Sequence, residues 1–181
     1  KLKLDFYILS SGAEILDKDL NIIQDFPMKK EIVQQIFNEY TALSLRYPPR
    51  FTQVTTEEEA FAELKNRNFE LIICMPNMDN RDIFAAAKEI KVHYPEIPIV
   101  VLTPFSKEVS KRIANEDLSA IDYVFSWLGN TELLLAIIKL IEDKMNAPED
   151  IASVGVQTIL LVEDSVRFYS SALPHLYRFI L

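Results

Sequence analysis

Apolar and polar positions alternate in two different rhythms along this chain, and the switch between them divides it into strands and helices. Short unbroken apolar runs fall at Phe69–Cys74 and Ile97–Thr103, each bounded by polar or proline residues. Such runs read as strands buried on both faces, as in a parallel sheet. Between them, Ile83, Phe84, Ala87 and Ile90 recur at helical spacing and predict a helix over 81–93, ended by Pro95 and Pro98. Phe51–Val54 is a shorter strand, and Thr56 with Glu59 three positions on is a capping box opening the next helix. After Ile97–Thr103 the pattern predicts a helix over Ser106–Glu116 and a strand over Ile121–Ser126. A long helix follows, capped by Asn130 and reaching Lys144, with Leu133, Leu134, Ile137, Ile138 and Ile141 as its apolar stripe.

The N-terminal part is less regular. A helix over Met28–Leu45 is clear, and Lys1–Leu9 is the strand expected before it. Residues 10–27 form an irregular insertion, either a hairpin around the Asp17-Lys18-Asp19 turn or a partly disordered excursion. At the other end, residues 147–156, with Pro148, Glu149 and Asp150, read as a polar linker. Gln157–Val162 is then a closing strand that meets Glu163 and Asp164, and Val166, Tyr169, Leu173, Leu176, Tyr177 and Ile180 repeat at helical spacing. Strands alternating with helices imply an α/β domain over residues 1–146 with a parallel sheet, plus a C-terminal strand-helix fragment over 157–181 too small for a core of its own.

Composition narrows the function. The net charge is −8 and Lys29-Lys30 is the one basic cluster, which argues against nucleic acid as a partner. No run of about 18 apolar residues is present and no basic-then-apolar leader opens the chain, so a cytoplasmic protein with no membrane contact is expected. With 3 glycines in 181 residues there is no phosphate-cradling glycine loop. Cys74 lies within an apolar strand and reads as a buried hydrophobe. His93 and His175 stand alone, and Asp17 with Asp19 lacks the further oxygen ligands of a calcium loop.

Five βα units in this order, with a strand ending in Thr103, a strand carrying Asp122-Tyr123-Val124, and the segment Thr158–Ser165, resemble response-regulator receiver domains. The resemblance implies a flavodoxin-like (CheY-like), doubly wound, five-stranded parallel sheet in the order 2-1-3-4-5. Receivers take a phosphoryl group onto an aspartate at the end of the third strand. They hold Mg2+ with paired acids after the first strand, and use a hydroxyl after the fourth and a lysine after the fifth. Carried onto this sequence, Met75 stands at the phosphoacceptor position, Ser126 at the lysine position and Trp127 in place of the following proline. Ser10-Ser11 ends the first strand without paired acids, whereas Thr103 and Tyr123 keep the switch hydroxyl and its aromatic partner.

The resemblance therefore implies a pseudo-receiver, with no catalytic residue and no cofactor in the first domain. Trp127 is the candidate contact for a partner protein. Glu163 and Asp164 match the Mg2+ pair of a second receiver whose phosphoacceptor would lie further along.

Several segments are also similar to the N-terminal region of large bacterial phosphoenolpyruvate synthase or pyruvate phosphate dikinase proteins. They are Arg46–Phe51, Leu102–Ser106, Ile121–Asn130 and Val154–Asp164. The expected function is a non-enzymatic regulatory module of a larger phosphotransfer protein, touching other domains of its own polypeptide, a partner protein or a second copy. Two alternatives stand beside it: a true phosphorelay protein whose active receiver begins at residue 157, and a flavodoxin-like small-cofactor binder using Ser10-Ser11-Gly12.

Overall fold

The computed structural model describes residues 5–10, 14–16, 22–25, 50–75, 83–103, 117–127 and 129–180. The helix expected over Met28–Leu45 and the one over Ser106–Glu116 lie outside them. So do the turn holding Asp17 and Asp19 and the loop after Met75.

In chain order the described elements are β1 (Asp5–Ser10), β2 (Glu14–Leu16), β3 (Ile22–Asp25), β4 (Arg50–Val54), α1 (Glu57–Asn66), β5 (Leu71–Met75), α2 (Ile83–His93), β6 (Ile99–Thr103), β7 (Tyr123–Ser126), α3 (Thr131–Val154) and α4 (Val166–Ile180). Five strands form one sheet in the order β4-β1-β5-β6-β7, and every pairing in it is parallel. β2 and β3 pair antiparallel, and the residues that connect them lie outside the described ones.

Burial follows the strand order. β6, Ile-Val-Val-Leu-Thr, is buried at every position, and β5 at all but its last. The edge strands β4 and β7 are partly exposed. Side chains alternate across each strand, so the sheet has two apolar faces. On one, Ile72, Cys74, Ile99 and Val101 pack against Ala60 and Leu64 of α1 and Ala87 and Ile90 of α2. On the other, Leu71, Ile73, Val100, Leu102 and Phe125 pack against the stripe of α3 and Leu173 of α4. Helices thus cover both faces, as parallel sheets require.

The local signals act as the sequence indicates. Thr56 caps α1 by accepting the Glu59 N–H at 3.2 Å, and the Glu59 carboxylate reaches back to the Thr56 N–H at 3.4 Å. Asn130 caps α3 by accepting the Glu132 N–H at 2.9 Å. At the opposite end of the sheet, Asp122 joins three elements: it accepts the Ile99 N–H at 2.9 Å and pairs with Lys91 of α2 at 2.8 Å, just before β7 begins.

Two expectations for the C-terminal part need correction. The polar linker over 147–156 is helical through Val154: α3 continues past Lys144, contains Pro148, and stops where Gly155 adopts a left-handed conformation (φ 68°). Pro148 removes one backbone bond, but it lies in an exposed stretch where water can serve the freed carbonyl. The strand over Gln157–Val162 does not form either. Residues 155–165 carry neither helix nor strand, and Leu160 and Val162 are 88% and 82% exposed. A strand is a paired object, and no described strand pairs with this segment.

The following helix does form, and α4 packs on α3 and β7. Its buried side is Ser170, Leu173 and Pro174 with half-buried Tyr169, Leu176 and Tyr177, while the expected Val166 and Ile180 are exposed.

Candidate functional site

Parallel pairing aligns strand ends. Ser10 pairs with Met75, and Thr103 with Ser126, so β1, β5, β6 and β7 finish together at one edge of the sheet. This is where open α/β sheets bind ligands. Met75, Thr103 and Ser126, the positions singled out from the sequence, therefore share the carboxyl ends of three neighbouring strands.

Thr103 and Ser126 are both buried polar residues. Tyr123 sits at the start of β7, about 10 Å along the strand from Ser126 at ~3.3 Å per residue. It packs in the cluster that holds Phe125 and Tyr169, whereas Thr103 has the strand parity of Ile99 and Val101 on the opposite face. The structure does not bring Tyr123 and Thr103 together; the Tyr123 ring instead lies 5.4 Å from the Lys144 ammonium.

Trp127 is half-buried against the α3–α4 cluster, and its N–H donates to the Thr103 carbonyl at 2.7 Å. In a parallel pair, alternate amides point to opposite sides of the strand, so the intervening Ser126 N–H faces the open edge of the sheet. There it donates to Ser170 Oγ of α4 at 2.8 Å, and Ser170 Oγ donates in turn to the Val166 carbonyl at 2.5 Å. The Ser126 hydroxyl is buried and has no hydrogen-bond partner among the described residues.

Tyr169 stacks on Phe125 with ring centroids 5.1 Å apart; burial, and then the neighbouring Tyr123, push its hydroxyl up to about 12. Tyr177 donates to Asp143 at 2.6 Å, and burial together with that bond raises its pKa. Burial pulls the Asp122 carboxyl upward, but the Lys91 bond and the Ile99 amide outweigh it and hold the group below the ordinary carboxylate range.

Glu163 and Asp164 are exposed at the start of α4. Glu163 accepts the Ser165 N–H at 2.9 Å, and Ser165 Oγ accepts the Phe168 N–H at 3.4 Å, an arrangement that caps the helix. No group of three His, Cys, Asp or Glu able to hold a metal ion occurs among the described residues. His93 hydrogen-bonds the Glu89 carbonyl at 3.1 Å, and His175 is exposed. Burial pushes the Cys74 thiol up to about 12. Ser10 ends β1, while Ser11 and Gly12 lie outside the described residues.

One feature was not visible in the sequence. Ser126, Asn130 and Leu133 line a cavity of about 560 Å³ together with Arg167, Phe168, Ser170 and Ser171. Its lining comes from positions some forty residues apart in the chain, so only the docking of α4 reveals it.

No family model matches the chain. The transcriptional regulatory protein ZraR of Salmonella typhimurium is 35% identical over 66 residues, which is 36% of this chain and 15% of that protein. The chain thus spans a small part of the length of the curated relatives it matches. Among solved structures, the BeF3-activated DrrB receiver domain superposes with a TM-score of 0.51 at 16% identity, covering 78% of this chain and 99% of the other. A signal receiver domain of an HD domain-containing protein from Pseudomonas fluorescens Pf-5 gives 0.52 at 16% identity, covering 81% and 99%. NtrX from Brucella abortus, solved with ADP, gives 0.55 at 14% identity, covering 99% of this chain and 34% of that one. The fold is that of response-regulator receiver domains.

Proposed function

We propose that the chain is a pseudo-receiver: a non-catalytic regulatory module that works by protein contact within a larger cytoplasmic phosphotransfer protein of the phosphoenolpyruvate synthase or pyruvate phosphate dikinase kind. The observation that carries this reading is Met75 at the carboxyl end of β5. A thioether cannot accept a phosphoryl group, and Ser126 at the end of β7 supplies no cation to neutralise one. Thr103 and Tyr123 are then packing residues of a switch that has lost its trigger. Trp127, at the rim of the same edge, is the contact residue toward another domain or partner. The first domain needs no Mg2+ in this reading.

Acetyl phosphate or beryllofluoride with Mg2+ should leave the spectrum of residues 1–146 unchanged. A stoichiometric acyl phosphate on those residues overturns the reading.

The alternative of an active receiver beginning at residue 157 draws on the succession Glu163-Asp164-Ser165 after an apolar run. Finding an aspartate at a strand end some forty residues past Leu181 in a longer sequence would support it, with Mg2+ on Glu163 and Asp164.

A further inference from the structure

We propose that residues 158–162 of one copy add as an antiparallel strand to the outer edge of β4 in a second copy, and that the reciprocal pairing closes a two-fold dimer. The donor reads Thr158-Ile159-Leu160-Leu161-Val162, a run of β-branched and leucine residues with the composition of a strand. It carries neither helix nor strand, and Ile159, Leu160 and Val162 are each at least 70% exposed. An uncharged apolar run that presents bare backbone is a template for pairing with another chain. The acceptor lies at the far side of the sheet. β4 ends the strand order, and no described strand pairs with its outer side. The β7 edge differs, because α4 closes it through the Ser170–Ser126 bond.

Distance removes the chain's own β4 as the acceptor. A strand added there stands five inter-strand steps from β7, about 24 Å at ~4.8 Å per step. Val166 is tied through Ser170 to Ser126 of β7, and Val162 is only four residues before it, a reach of at most ~14 Å. With α4 docked, the edge that the segment can reach belongs to another molecule. Each molecule carries both halves of the contact, so a reciprocal exchange satisfies both at once, as an isologous interface requires.

Charge fixes the direction. Glu163 and Asp164 follow the segment directly. Parallel addition would set them beside the carboxyl end of β4, where Glu57, Glu58 and Glu59 fill the first turn of α1. Three carboxylates outweigh the roughly half positive charge of a helix amino end. Antiparallel addition carries the acid pair to the other end of β4, beside Arg50 and the Arg67 guanidinium that contacts Thr52 at 3.4 Å. Avoiding the three glutamates decides the direction whatever else those arginines touch. An antiparallel strand on the edge of a parallel sheet is a common arrangement.

Sedimentation equilibrium of the full chain between about 1 and 100 µM should show a monomer–dimer equilibrium. Leu160→Lys should weaken the dimer by about tenfold or more. Leu160 is exposed in the monomer, so this variant should keep the unfolding midpoint of the dilute wild-type protein, which separates lost pairing from lost folding. Mixing Gln53→Cys protein with Ile159→Cys protein under oxidising conditions should give a heterodimer joined through positions 53 and 159, because antiparallel pairing of Arg50–Val54 with residues 158–162 sets those two opposite each other. Both positions are exposed, and native Cys74 is buried. A monomer throughout the concentration range overturns the proposal, as do a dimer undiminished by Leu160→Lys, species that grow beyond the dimer, or cross-links that join only like with like. None of these results depends on whether Met75 marks a lost phosphoacceptor, so this proposal and the pseudo-receiver reading fail separately.

Discussion

Ser170→Ala isolates the bond by which α4 closes the open edge of the sheet. The Ser170 hydroxyl is the described acceptor for the Ser126 N–H at 2.8 Å, and Ser170 is 6% exposed. Alanine fits the helix but orphans that amide between two residues that are each more than nine-tenths buried. Leaving a buried donor unsatisfied costs about 1–3 kcal/mol. The second bond, to the Val166 carbonyl, adds little, because that carbonyl also lies within reach of the helix's own i+4 amide. With a urea m-value of roughly 2 kcal/mol per M, the unfolding midpoint should fall by about 0.5–1.5 M. Trp127, the single tryptophan, adjoins Ser126 and makes a local fluorescence probe alongside far-UV circular dichroism. Ser126→Ala is the matched control, expected within about 0.5 kcal/mol of wild type because it deletes a hydroxyl and leaves the amide bond intact. If Ser170→Ala is as stable as wild type, or if Ser126→Ala loses as much as Ser170→Ala, the reasoning about this edge is wrong.

Leu173→Ala truncates a buried apolar side chain of α4, 3% exposed, and should cost about 2–4 kcal/mol by chemical denaturation, unless the helix undocks locally, which hydrogen exchange in α4 would reveal. Asp122→Asn should destabilise by about 0.5–2 kcal/mol at neutral pH, because Asn keeps an acceptor for Ile99 but loses the charge toward Lys91. The folded-state pKa of Asp122 is depressed, so its contribution is present above the unfolded value of about 4 and disappears as pH falls through the folded one; the gap between variant and wild type, followed by urea titrations across acidic pH, should close there. Cys74, buried with its thiol pushed up to about 12, should resist a maleimide at pH 8 in the native protein and react once urea unfolds it; rapid native labelling would contradict its placement in β5.

Much of the fold is legible because the relevant signals are local. Ile99–Thr103 is apolar at almost every position and could be only a strand buried on both faces. Thr56 with Glu59 and Asn130 before Thr131 announce helix starts through bonds made within one turn. What fails is what depends on distant partners. Thr158–Val162 has the pattern of a strand but pairs with no described strand, and the stretch around Pro148 reads as a linker although an exposed helix can continue through it. The strand-end site divides in the same way. Met75, Thr103 and Ser126 are placed by counting along strands, while the cavity requires Arg167 and Ser126 to meet, and no pattern in either segment predicts that.

The connection between α3 and α4 sets a length rule. A 24-residue helix is about 36 Å long if straight. Its far end is Gly155, yet the first turn of α4 returns to the cavity beside Asn130 at its near end. Residues 156–165 must cover most of that distance, and ten residues reach at most about 33–36 Å. The segment therefore works as a ruler with little slack. Lengthening it should be tolerated, since doubling a loop adds only about 0.6 kcal/mol of closure entropy. Removing even a few residues should force α4 off the sheet edge or unwind the exposed tail of α3, so evolutionary or engineered change here is permitted in one direction only.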